Sequence, residues 1–148
     1  MKKTEEGLNL LMELAARDWT RARIIALKIP SDKLDCGTLI EFQQSSDSNV
    51  RNLARELALK IPTDKLDCGT LIEFQQSSDS NVRNLARELA LKIPTDKLDC
   101  GMLIKFQQSS DPNVRNLARE LLLLNFPDTV VNNSKDEELE QKILAYFQ

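Results

Sequence analysis

The chain contains no histidine, only three cysteines and four glycines. Without histidine, general acid–base catalysis would fall to carboxylates, and these recur at regular intervals along the sequence instead of converging on one pocket. The sequence also has no glycine-rich phosphate loop and no nucleophile motif. It therefore predicts a protein that is not an enzyme and that holds no cofactor.

Charge and hydropathy are both unremarkable. Lys and Arg number 20 against 23 Asp and Glu, which gives a net charge of −3 and argues against a polyanion binder that works by bulk charge, although a local basic stripe stays open. No apolar run approaches the ~20 residues of a membrane span, and residues 1–6 lead into an amphipathic segment with acidic residues rather than a signal-peptide core. We expect a soluble, cytoplasmic protein with no membrane partner.

A repeat of 32 residues dominates the chain. Residues 63–94 copy residues 31–62 with one change, Ser31 to Thr63, and residues 95–126 copy residues 63–94 with seven changes. Such a period indicates a stack of one small unit, so function is expected on a repeated surface. We predict one domain over 1–148, with an N-terminal cap over 1–30, three repeats over 31–126, and a linker with a capping helix over 127–148.

The second half of each unit has the pattern of an amphipathic helix. In residues 81–93 the apolar side chains follow i, i+3, i+4, i+7, i+8 and i+11, which is one face of an α-helix. Asp79 is the expected N-cap, and Pro112 stands at the first helical position of the third copy, where proline is well tolerated. The helix must end before Pro94.

The first half of each unit predicts a second, shorter helix with a weaker pattern. In residues 63–76 the expected cap is Thr63 or Asp64, and Gly69 indicates an irregular opening turn because glycine costs about 1 kcal/mol inside a helix. The Ser77-Ser78 pair is predicted to form the turn between the two helices. Each unit is therefore a helical hairpin with an apolar side that its neighbour must cover.

The segment LIEFQQSSDSNVRNLAREL at residues 71–89 resembles the core of a HEAT-like repeat. It has a leucine-rich first helix, an Asp in the turn, the Val82-Arg83 pair, and Ala and Leu at helical spacing. The resemblance recurs in the other two copies, covers about residues 31–126, and implies a right-handed α-solenoid whose second helices line the concave face. Gln75 and Ser77 depart from the family pattern, so the ladder of turn carboxylates that would pair with the arginine is expected to be half present.

The two ends differ from the repeats. Residues 5–29 are interpreted as out of step with the period, with Asp18 as the cap between two helices; a degenerate hairpin and one kinked helix are both open. At the other end, Ser134 to Glu137 reads as a capping box. It opens an amphipathic helix that we predict to lie as a lid over the last hairpin.

The three cysteines, Cys36, Cys68 and Cys100, stand one period apart. Equivalent positions in stacked helices are separated by about 8–10 Å, which exceeds the ~7 Å Cα limit for a disulfide. We expect equivalent, reduced and largely buried thiols. No zinc site is expected, because three cysteines from three repeats would have to converge.

A candidate partner surface lies opposite the buried centre of the second helix. Repetition places four kinds of side chain in rows along the stack, here called the second-helix surface: Asn52, Asn84 and Asn116; Arg55, Arg87 and Arg119; Glu56, Glu88 and Glu120; Leu59, Leu91 and Leu123. The family resemblance implies that these rows form an inner groove. The alternative is a solvated helix face that only keeps the protein soluble.

Other repeated side chains are interpreted as structural. Arg51, Arg83 and Arg115 are expected to bond turn carbonyls or carboxylates of a neighbouring repeat. Phe42, Phe74, Phe106 and Trp19 are expected to pack in the core or cap an end.

Three functional hypotheses follow. The first is a scaffold that binds another protein, as a helix or an extended segment, through the second-helix surface. The second is nucleic-acid binding through the row of three arginines. The third is a recent duplication or a designed, consensus-style repeat protein with no specific ligand. Self-association through the ends of the stack is also open.

Overall fold

The computed structural model describes residues 2–130 and 134–148, without the side chains of Lys2 and Ser134. Over these residues the chain is all-helical, and no strand occurs. Its α-helices are α1 (Lys2–Arg17), α2 (Trp19–Ala26), α3 (Cys36–Glu41), α4 (Ser48–Leu59), α5 (Cys68–Glu73), α6 (Ser80–Leu91), α7 (Cys100–Phe106), α8 (Pro112–Asn125) and α9 (Ser134–Ala145). None of these helices combines the length and apolarity needed to cross a membrane.

The second helices of the three repeats, α4, α6 and α8, begin where the sequence predicts. Asp47, Asp79 and Asp111 each accept hydrogen bonds from the backbone N–H groups two and three residues further on. An N-cap of this kind stabilises a helix by about 1 kcal/mol. Pro112 is the first residue of α8, and α6 ends at Leu91 before Pro94, so both predicted boundaries are confirmed.

The first helices begin later than predicted. Thr63 and Asp64 do not cap α5, because they lie in a separate 3-10 turn over Thr63–Lys65. The backbone then becomes extended at Leu66 (φ −87°, ψ 136°), which breaks the helix, and Asp67 caps α5 by accepting from the N–H of Gly69 at 3.1 Å. Gly69 therefore stands in the first turn of the helix, where its cost is small.

The helices pack in a repeated pattern. Each first helix contacts the second helix of its own hairpin and the second helix of the following one: α3 contacts α4 and α6, and α5 contacts α6 and α8. The side chains between them are fully buried, among them Leu39, Ile40, Leu71, Ile72 and Leu89. Burying a side chain of this size contributes roughly 1.5–3 kcal/mol, so the hairpins hold one another through a continuous apolar core.

The N-terminal end is a helical hairpin. α1 and α2 are separate helices packed on each other, and Asp18 between them accepts a hydrogen bond from the N–H of Arg21. The interpretation that this region is out of step is wrong for its second helix, since ARIIALKIP at residues 22–30 matches ARELALKIP at residues 54–62 in seven of nine positions. Ala22 and Ala26 are buried, as are their equivalents in α4.

The C-terminal end does not form the predicted lid in this structure. α9 exists as a helix, but every described side chain over residues 135–148 is exposed, so α9 does not cover the last hairpin here. The capping box predicted for its start depends on Ser134, whose side chain lies outside the described residues. Amphipathicity predicts which face of a helix is apolar, and it does not decide whether a neighbour covers that face.

Candidate functional site

The second-helix surface does form one solvent-facing side of α4, α6 and α8. The side chains of its Asn and Arg rows are exposed in all three copies, and those of the Glu row are half-buried. The leucine row behaves differently. Leu59 and Leu91 are half-buried and pack against the core, and only Leu123, in the last repeat, is exposed. The surface is therefore more polar than the sequence alone indicates.

The arginine and glutamate rows are joined into a ladder of ion pairs. Arg23 contacts Glu56 at 3.2 Å, Arg55 contacts Glu88 at 2.5 Å, and Arg87 binds both carboxylate oxygens of Glu120, at 2.9 and 2.5 Å. Each pair links the second helix of one hairpin to that of the next. We did not predict these pairs. The sequence does contain a signal for them, because Arg and Glu are adjacent in every repeat. The arginine of one repeat and the glutamate of the next, 33 residues further on, therefore stand on neighbouring helices.

The ladder contributes little stability by itself. The side chains of Arg55 and Glu88 are 49% and 36% exposed, and solvent-exposed ion pairs are typically worth about 0–1 kcal/mol. Its main effect is to occupy the arginines of the inner repeats. Arg119, in the last repeat, has no ion pair within the described part of the chain.

An open groove of about 440 Å³ lies between α4 and α6. It brings together six residues of the second-helix surface: Asn52, Arg55, Asn84, Arg87, Glu88 and Leu91. Gln43, Arg51, Asn81 and Leu85 complete its lining. Glu56 and Leu59 instead line a smaller neighbouring cavity of about 220 Å³ beside α2, and the residues predicted in α8 line neither.

The asparagines of the groove have unused hydrogen-bonding groups. The side-chain amides of Asn52 and Asn84 are exposed and have no hydrogen-bond partner among the described residues, and the same holds for Asn116. Each carboxamide carries two N–H donors and one carbonyl acceptor. These groups stand one repeat apart and are available to a bound molecule.

The arginines of the Val-Arg pairs are structural, as predicted. Arg51, Arg83 and Arg115 donate to the carbonyl oxygens of Ser45, Ser77 and Ser109, at 2.7, 2.7 and 2.9 Å. These carbonyls belong to the turn of the same hairpin, so the expectation of a neighbouring repeat is wrong. Each arginine stands near the start of its helix, and the serine lies six residues earlier in the turn. The guanidinium can therefore reach back to the serine carbonyl.

Two buried glutamines bond to the backbone within their own hairpins. Gln43 and Gln75 are buried, and their side-chain N–H groups donate to the carbonyl oxygens of Arg51 and Arg83 at 2.9 and 3.0 Å. An aliphatic residue could not make this bond. Each glutamine thus links the end of the first helix to the second helix of the same hairpin by a hydrogen bond.

The predicted aromatic core residues are confirmed. Phe42, Phe74, Phe106 and Trp19 are half-buried and pack against the apolar core. They do not form an exposed platform for a ligand.

The cysteines are free thiols, but they are not equivalent. Cys68 is buried, whereas Cys36 and Cys100 are half-buried. Desolvation raises the pKa of both Cys36 and Cys68 to about 11, and the neighbouring carboxylates Asp35 and Asp67 contribute to this rise. Within the described residues, no group of three or more His, Cys, Asp or Glu side chains could hold a metal ion.

Comparisons with protein-family models, with curated proteins and with solved structures find no match to this chain.

Proposed function

We propose that this chain is a non-catalytic, right-handed α-solenoid of HEAT-like hairpins, and that it binds another protein through the concave face of its second helices. The partner is an extended segment that lies in the groove between α4 and α6. The observation that carries this proposal is a pair of carboxamides in that groove, Asn52 and Asn84, which have no hydrogen-bond partner in the described part of the chain.

The lining of the groove favours an extended segment over a helix. An amphipathic helix needs an apolar groove to receive its apolar face, and Leu85 and Leu91 are the only apolar side chains in this lining. An extended segment instead exposes main-chain N–H and C=O groups, and a carboxamide can donate to one and accept from the other. The half-buried Leu91 offers a contact for one apolar side chain of the partner.

The ion-pair ladder disfavours a nucleic acid as the partner. Arg55 and Arg87 are each held by a glutamate of the next repeat. A phosphate would have to displace that carboxylate and would then lie beside it. The groove consequently has no continuous basic stripe of the kind that follows a phosphate backbone.

The test starts from a library of displayed random peptides, selected on the unmodified protein and followed by affinity measurements with the selected peptides. We expect Asn52→Ala combined with Asn84→Ala to weaken binding at least tenfold. The matched control is Gln44→Ala combined with Gln76→Ala, because these are exposed carboxamides one repeat apart outside the groove. The control should retain its affinity, and both variants should keep the melting temperature.

Three results would contradict the proposal. The first is a selection that yields no specific peptide, and the second is an asparagine variant that binds as tightly as the control. The third is binding of single-stranded oligonucleotides that weakens steeply with added salt, since that dependence is the mark of phosphate contacts.

A further inference from the structure

The third repeat exposes a face whose equivalents in the first two repeats are covered. Ile40 and Ile72 are completely buried, whereas Ile104, the same residue in the third copy, is 39% exposed. Leu123 is likewise exposed, although Leu59 and Leu91 are half-buried. The three copies have nearly the same sequence, so the exposure of Ile104 comes from its place in the stack. The helices α3 and α5 each contact the second helix of the following hairpin, and the described residues contain no hairpin after α7 and α8.

The ladder of ion pairs stops at the same place. The arginine of each earlier hairpin reaches a glutamate of the next one, and Arg119 has no such pair within the described residues. Leu124, the residue after Leu123, is 66% exposed, where the two other copies have Lys60 and Lys92. We call this set, Ile104, Arg119, Leu123 and Leu124, the C-terminal face. A complementary partner would be a helix with an apolar stripe flanked by carboxylates.

α9 has these properties. Leu139 and Ile143 stand four residues apart on one side of the helix and are 56% and 50% exposed. Residues 134–148 carry four carboxylate side chains, Asp136, Glu137, Glu138 and Glu140, against two lysines. The segment is therefore amphipathic and acidic. It complements an apolar face whose Arg119 makes no ion pair with any residue that the structure describes.

A linker of three residues tethers α9 to Val130. Val130 is buried in the core cluster next to the end of α8, and only residues 131–133 separate it from the start of α9. Four Cα–Cα steps span at most about 14 Å, and packed helices lie about 8–10 Å apart. The start of α9 is thus held within about 14 Å of Val130, on the same chain as the C-terminal face.

We propose that α9 docks on the C-terminal face of its own chain, with Leu139 and Ile143 over Ile104 and Leu123 and an α9 carboxylate paired with Arg119. The structure described here is then the undocked arrangement, and α9 is the cover that the third repeat lacks. This proposal depends on the packing of the hairpins and not on the groove function proposed above. Salt should weaken docking, because the carboxylate–arginine pair remains near solvent.

The test measures how accessible the C-terminal face is in the full-length protein. A thiol is introduced by Leu123→Cys, and its alkylation rate is followed by mass spectrometry of the peptide that contains position 123, so the native cysteines do not interfere. We expect alkylation at least fivefold faster when Leu139→Ser and Ile143→Ser are added. These two side chains are exposed in the undocked arrangement, so the rest of the fold should be unaffected. Arg119→Ala should cause a smaller increase.

The matched control is Leu27→Cys, with and without the same α9 substitutions. Leu27 occupies the equivalent of position 123 at the opposite end of the stack and is 67% exposed, so its alkylation rate should not change. Backbone hydrogen exchange in residues 119–125 of the chain without an added thiol provides a second readout, and it should be slower when α9 is unmodified.

Equal alkylation rates at position 123 with and without the α9 substitutions would overturn the proposal. An equal acceleration at position 27 would also overturn it, because it would indicate a general loosening of the fold. Protection that rises with protein concentration would show that α9 docks on a second copy instead of on its own chain.

Discussion

The three copies allow a stability experiment in which the protein is its own control. Ile72 in α5 is completely buried, and Ile104 in α7 is 39% exposed, although the two stand at the same position of the repeat. In a chain that carries Leu139→Ser and Ile143→Ser, so that α9 leaves position 104 uncovered, we predict that Ile72→Ala destabilises the protein much more than Ile104→Ala. The change in helix propensity is the same at both positions and cancels in the comparison.

The expected magnitudes follow from burial. At position 72 the substitution removes a buried side chain and leaves a cavity, which typically costs 2–5 kcal/mol, so we take about 3.5 kcal/mol. At position 104 water fills the space and only part of the transfer free energy is lost, about 1 kcal/mol. The predicted difference in the free energy of unfolding is therefore about 2.5 kcal/mol.

The assay is urea denaturation followed by far-UV circular dichroism, because Trp19 fluorescence reports only on the N-terminal hairpin. The dependence of the free energy on urea concentration should be the same in both variants. A lower dependence would mean that the repeats unfold separately. Equal losses at the two positions in that chain, with an unchanged urea dependence, would refute the conclusion that the three repeats by themselves leave Ile104 uncovered.

Three further predictions concern single features of the structure. Asp79→Ala should lower the free energy of unfolding by about 1 kcal/mol through loss of the α6 N-cap, and a loss below about 0.3 kcal/mol would contradict that role. A double-mutant cycle between Arg87 and Glu120 should give a coupling of at most about 1 kcal/mol that shrinks with added salt, so a large and salt-independent coupling would be evidence against a solvent-exposed pair. The thiol of Cys68 should stay protonated in the folded protein up to a pH near 11, whereas in the unfolded chain it ionises near pH 9.0. Since the folded-state pKa is the higher one, this contribution to stability is complete below pH 9 and is lost as the pH rises toward 11. Cys68→Ala should therefore show a smaller loss than the unmodified protein in urea titrations across that pH range, and parallel profiles would count against a raised pKa.

Local features of the chain were predictable because their causes lie within a few residues. Asp79 caps α6 and Pro112 opens α8 for reasons of backbone hydrogen bonding and fixed φ that act within one turn. The start of α5 was harder to predict, because Asp64 and Asp67 are both suitable caps. The extended backbone at Leu66 breaks the helix between them, so Asp67 becomes the cap. The equivalence of residues 22–30 to the repeat was readable from the sequence and was missed because the outer half of that hairpin has diverged.

From the amino-acid pattern alone we could predict the period, the hairpin unit, the second helices and the rows of side chains opposite their buried face. We could not predict that Arg55 pairs with Glu88, that Leu91 is half-covered, or that Ile104 is exposed although Ile72 is not. Caps and apolar periodicity act along one helix, whereas pairing and burial depend on which helix lies next to it. Near-identical repeats therefore differ in exposure according to their neighbours, and the end of the stack differs most.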